Sequence, residues 1–151
     1  MCQFKSAIVT PNADVLHNAY TDSHEDLVRL FKLNDTASVR GEPRFCRVEF
    51  YPDDKNDLAD VDKFKLHIDE PRKPDWFTKE MEARTTAKLR LLVSAMIITG
   101  DVDMLCGGAY ILAKGAKVQC VKNAFIQVML GSSKVGVMRG SSKVLTDNRV
   151  Q

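Results

Sequence analysis

Two five-residue segments near the end of the chain are copies of one another: Gly131-Ser132-Ser133-Lys134-Val135 and Gly140-Ser141-Ser142-Lys143-Val144. They close a longer series. From Ala109 onward, units open with Ala or Ser, carry a β-branched residue two positions later and end on Gly or Asn. The β-branched positions Ile111, Val118, Ile126, Val135 and Val144 fall 7, 8, 9 and 9 residues apart. A short repeat of this kind constrains the fold, because one unit cannot bury its apolar side chain without a neighbour stacked on it. Small residues and Gly let the backbone turn tightly at each corner. The pattern predicts a short β-solenoid over residues 101–151. The alternative is an antiparallel meander, whose strands have no reason to resemble one another residue by residue.

The same stretch is basic. From Ala109 to the end it holds seven bases and one acid, Asp147, whereas the rest of the chain has 15 bases and 19 acids. An asymmetry of this size points to a cationic face that meets something anionic. The candidate binding residues are Lys117, Lys122, Lys134, Arg139 and Lys143. Lys117, Lys134 and Lys143 take the same place in successive units, so stacking predicts a ladder of ammonium groups about 4.8 Å apart. Such a ladder repels itself unless anions or water meet it. The expected partner is a protein or nucleoprotein with an anionic surface, and nucleic acid is the second choice. Lys side chains also keep open strand edges from pairing, and an uncovered terminal edge suits a homo-oligomer.

Residues 1–100 read differently. A strand is expected over Phe4–Thr10 and a short one over Asp14–His17. Ser23 with Asp26 three residues on resembles a capping box and opens a helix ending near Leu33. Arg44–Tyr51 alternates, with Cys46, Val48 and Phe50 on one face and Arg47, Glu49 and Tyr51 on the other. Lys63–Asp69 alternates too, and the two strands are expected to pair antiparallel. Asp75 is a candidate N-cap for a long helix from Trp76 to about Ile98, with Gly100 as its stop. The fold class is therefore α+β: a head of two helices and three to four strands, followed by the solenoid.

No stretch spells out a reaction. There is no P-loop, no G-x-G-x-x-G, no H-x-x-x-H and no G-x-S-x-G. Cys2 would become an N-terminal nucleophile if Met1 were removed, with its own α-amine as base. His24 with Asp22, Glu25 and Asp26 could bind metal or act as acid and base, although helix capping accounts for those carboxylates. His17 and His67 have no local partner and read as surface or structural groups. The four cysteines form no pair that suggests zinc or a disulfide framework, and Cys46 and Cys120 read as small buried hydrophobes. No metal or cofactor is implied. A third reading is a nucleotide sponge, with the bases holding phosphates in an oligomer.

The 151 residues, 44% apolar and 28% charged, suffice for one or two small packed domains. No apolar run approaches the roughly 20 residues that span a bilayer. The opening segment lacks an apolar signal core. A soluble, cytoplasmic chain without membrane partners is expected.

Several segments carry a resemblance. Met1-Cys2-x-Phe4-Lys5-Ser6-Ala7-Ile8, Asp22-Ser23-His24-Glu25-Asp26-Leu27, Arg44-Phe45-x-Arg47-Val48-Glu49-Phe50, Pro74-Asp75-Trp76-Phe77 and the repeated Ser-Ser-Lys-Val together resemble a group of bacteriophage- and prophage-encoded proteins. The likeness covers most of the chain. It implies a non-enzymatic accessory protein in the host cytoplasm that binds and inhibits host or rival machinery, of the anti-defence or anti-CRISPR type.

Overall fold

The structure is a computed structural model that describes residues 4–36 and 38–149. The chain divides into two compact units, one made of Met1–Asp57 and Val61–Leu92, the other of Leu58–Asp60 and Val93–Gln151.

In the first unit, β1 (Lys5–Val9), β2 (Val15–Leu16), β5 (Cys46–Pro52) and β6 (Phe64–Ile68) form an antiparallel sheet in the order β2-β1-β5-β6. Between them lie helix α1 (His24–Leu30) and a two-stranded ladder of β3 (Ser38–Val39) and β4 (Glu42–Pro43). The expected β5–β6 pair is present, with Val48 opposite Ile68 and Phe50 opposite Leu66. One face of the sheet is aromatic. Phe64 meets Phe4 edge-on at 5.5 Å and Phe50 at 5.4 Å, spacings at which ring quadrupoles attract. On the other face Ile8, Leu27 and Phe45 form a buried cluster, so Leu27 sets α1 on β1.

That second face corrects one expectation. Alternation alone turns Glu49 outward, yet Glu49 is only 8% exposed. It shares a face with Ser6, its partner in β1, and hence with Ile8 two residues on, and this is the face that α1 covers. Ser23 caps α1 as expected, its hydroxyl accepting from the Asp26 amide at 3.3 Å. The helix stops at Leu30 and not Leu33, because Lys32 enters the left-handed region at φ +53°.

Helix α2 spans Lys79–Met96. It begins later than expected because Pro74 to Phe77 form a turn, closed by the Phe77 amide donating to the Pro74 carbonyl. Thr78, not Asp75, plays the cap. Its hydroxyl accepts from the Met81 amide and its carbonyl from the Glu82 amide. At the other end Ile97–Ile98 leave the helix as strand β7.

The second unit is a β-solenoid of about three turns. The remaining strands are β8 (Asp101–Cys106), β9 (Ala109–Leu112), β10 (Lys117–Lys122), β11 (Phe125–Gly131), β12 (Lys134–Arg139) and β13 (Lys143–Arg149). They build two parallel sheets, β12-β10-β8 and β13-β11-β9-β7. Each turn is two strands, one in each sheet, and consecutive sequence units alternate between sheets. Inward side chains from both sheets make one core of Leu105, Leu112, Val118, Val121, Ile126 and Met129.

The corners explain the small residues of the repeat. Ala116, Ala124 and Ser133 are fully buried. Ser133 Oγ donates to the Leu130 carbonyl at 2.7 Å, and Ser142 Oγ to the Arg139 carbonyl at 2.6 Å. The second Ser of each Gly-Ser-Ser-Lys-Val copy therefore ties its own corner. Gly131 and Gly140 stand at φ +62° and +63°, where a Cβ is costly.

Candidate functional site

The basic residues resolve into columns, because parallel strands in register stack like positions. In the β12-β10-β8 sheet, Lys117 lies opposite Lys134 on one side and Asp101 on the other. At the far end of the same strands, Lys122 lies opposite Arg139 and Cys106. All four cations are exposed. Between the columns Gln119 Nε2 donates to Asp103 Oδ1 at 3.0 Å, and Met104 and Val137 are exposed. The acids thus belong to the first turn and the free cations to the second and third.

Lys143 is not part of this array. The expected three-rung ladder of Lys117, Lys134 and Lys143 fails because one turn takes two sequence units. Lys143 sits in β13, in the other sheet, opposite Phe125. Its ammonium lies 5.4 Å from the Phe125 ring centre, within cation–π range. The cationic face therefore contracts to Lys117, Lys134, Lys122 and Arg139.

Among the described residues β12 ends its sheet, with β10 as its only strand neighbour. Its Gly136-Val137-Met138 segment is exposed, with Lys134 before it and Arg139 after it. One side of its backbone thus offers N–H and C=O groups that no strand among the described residues takes up. An edge of this kind is a template for another strand.

The histidines fall elsewhere. His24 is not gathered with Asp22, Glu25 and Asp26. Asp22 instead reaches the buried Lys5, with Oδ1 2.7 Å from Nζ and 3.3 Å from the Ser6 amide. Glu25 pairs with the Ser23 hydroxyl, and its own backbone amide first, then that contact, hold its carboxyl below the ordinary range. His24, 3% exposed, points under α1. Its Nε2 is 3.1 Å from the Val48 carbonyl and its Nδ1 is 3.0 Å from Asp69 Oδ2. Glu49 joins them, and the three ligating atoms lie within 4.8 Å of one another. His67 stacks on Tyr51 at 3.8 Å, and its Nε2 is buried without a hydrogen-bond partner, as is Ser6 Oγ.

Of the cysteines, Cys46 is buried and its thiol is pushed up to about 12, mainly by burial and then by the charge of Glu70. That is the behaviour of an inert core residue. Cys120 is half-buried and Cys106 exposed. Cys2 lies outside the described residues. Among the described residues, no helix is long and apolar enough to cross a membrane.

The fold defines an α+β protein whose tail is a parallel β-solenoid with a cationic sheet and an open edge. No known protein family matches the chain, and no curated protein or solved structure is significantly similar to it.

Proposed function

We propose that the protein is a non-enzymatic binding module that takes an acidic, extended segment of a partner protein along the open edge of β12. The observation that carries this reading is the placement of Lys134 and Arg139 at the two ends of an exposed edge strand. Main-chain hydrogen bonds to the edge would supply affinity, and cations flanking it would select acidic side chains in the incoming strand. Lys117 and Lys122 add a second rank of positive charge one strand back. The likeness to phage-encoded accessory proteins fits a host protein or nucleoprotein as partner, bound as an inhibitor binds.

Fluorescence anisotropy on the full chain tests this. The probes are a labelled peptide alternating Val and Glu, a Val/Lys peptide of equal length, and single-stranded and duplex oligonucleotides. The Val/Glu peptide is expected to bind, to weaken as salt rises, and to be lost in the double variant K134E/R139E. Tighter binding of the oligonucleotides would transfer the face to phosphate backbones. Binding of neither, or binding that survives the double variant, overturns the reading.

A further inference from the structure

The buried face of the head sheet carries a second arrangement, independent of the solenoid. His24 Nε2 lies 3.1 Å from a carbonyl oxygen, which can only accept, so Nε2 carries a hydrogen. The other ring nitrogen, Nδ1, faces Asp69 Oδ2 at 3.0 Å. An ionised carboxylate is also only an acceptor. Something positive must stand between the two, either a proton on Nδ1 or a cation.

Glu49 brings a third ligand to the same place. It is 8% exposed and its carboxylate belongs to the same cluster. The imidazole and the two carboxylates, with ligand atoms within 4.8 Å of one another, make a set that one divalent ion can bind at once. A divalent ion on a neutral imidazole and two carboxylates leaves no net charge. The spacing is compatible with an ion as well as with an N–H···O bond: two ligands each about 2.1 Å from an octahedral metal stand about 3.0 Å apart. That is the separation of Nδ1 and Oδ2.

A further observation points to the same place. In the cross-strand row, Glu49 lies opposite Ser6 on one side and His67 on the other. Ser6 is fully buried, and Ser6 Oγ and His67 Nε2 are buried side-chain atoms without hydrogen-bond partners. A hydrated ion held by Glu49 would bring water to both. The side chain of Asp69 is 58% exposed, which leaves a path for entry.

We propose that His24 Nδ1, Glu49 and Asp69 hold a divalent first-row transition-metal ion, with water completing its coordination. One imidazole nitrogen with two carboxylates suits Zn²⁺, Mn²⁺, Fe²⁺ or Co²⁺ better than Mg²⁺ or Ca²⁺, which prefer all-oxygen sites. The three ligands come from α1, from β5 and from the residue after β6, so the ion cross-links a helix to two strands.

The test uses the full chain, stripped with a chelator and exchanged into plain buffer. Calorimetric titration with Zn²⁺ is expected to give one ion per chain. Co²⁺ is expected to produce visible d–d absorption, and Mg²⁺ and Ca²⁺ to give no heat at the same concentrations. Long-range ¹H–¹⁵N spectra of the zinc-loaded protein should move the His24 Nδ1 resonance and leave Nε2 protonated. Asp69→Asn, at an exposed position that the fold tolerates, should weaken Zn²⁺ binding by about tenfold or more. Glu49→Gln should do the same while keeping the side-chain shape. A wild-type chain that takes up no ion below about millimolar concentration, the weak end of metal sites, shows a plain His24–Asp69 ion pair and overturns the proposal. So does zinc binding that leaves the His24 ring resonances in place or that Asp69→Asn does not weaken.

Discussion

A Cβ placed on Gly136 would stand 2.7 Å from the main-chain oxygen of Gln119. Gly136 is in β12 and Gln119 is its neighbour in β10, so the third turn lies on the second at a distance only glycine permits. Gly136→Ala must push the two strands apart, because the atom it meets is backbone and cannot rotate away. We expect a loss of about 1–3 kcal/mol, the usual cost of overpacking. Loss of hydrogen-exchange protection should be confined to β12, with β8 and β9 unchanged. Unaltered protection of β12 would show that this contact does not hold the third turn.

Lys143 and Lys134 hold the same place in the two copies of one sequence word, yet their roles should separate. Lys134 borders the open edge, whereas Lys143 lies over Phe125 in the other sheet. Lys143→Glu should leave anisotropy with the Val/Glu peptide within twofold of wild type. It should lower unfolding stability by roughly 0.5–1 kcal/mol, the scale of an exposed cation–π contact. Lys134→Glu should do the reverse. Equal losses of peptide binding would mean that both sheets contribute to one surface.

The contrast between these lysines also marks how far the sequence could be read. The copied segments, the small residues and the corner glycines revealed a solenoid, because stacking and tight turning demand those residue types. They could not reveal how many units make a turn. Val118 and Ile126 both point into the core from opposite sheets, so an inward residue every eight or so positions describes one strand per turn as well as two. The columns of charge depend on that number, which is why Lys143 was expected beside Lys134. In the head, alternation placed Cys46, Val48 and Phe50 correctly, and Ser23 marked the start of α1. The meeting of His24, Glu49 and Asp69 left no local trace, since it comes from antiparallel register and from α1 covering a face that reads as polar. Ile8 on that same face was the one hint that something would cover it.

Lys5 is 2% exposed, and its ammonium is met by Asp22 Oδ1 and by the Asn18 carbonyl, each at 2.7 Å. A buried pair of this kind is costly to break from one side, because the remaining charge stays desolvated. Asp22→Asn keeps an oxygen for the Ser6 amide but removes the charge that Lys5 needs. Chemical denaturation should show a loss of about 3–5 kcal/mol. Replacing both members, Lys5→Met with Asp22→Asn, should recover a large part of it. If the double variant is as unstable as the sum of the single ones, the pair acts through packing and not through charge.

Cys46 and Cys106 should differ in chemistry. Cys106 is exposed and should be alkylated by iodoacetamide at pH 8, whereas Cys46 should stay unmodified until the chain unfolds, as peptide mass mapping would show. The raised thiol also gives a pH signature. The folded chain keeps the Cys46 proton to about 12, while the unfolded chain releases it near the ordinary value of 9.0. Between those limits the folded state binds more protons, so stability falls as pH rises. The contribution of this thiol is complete below pH 9 and disappears as pH climbs through 12. Cys46→Ala removes that component and leaves the titration of lysines and tyrosines in place. The stability of the variant should therefore decline less steeply with pH over this window than that of the wild type. Parallel slopes would mean that the thiol is reached by solvent despite its burial.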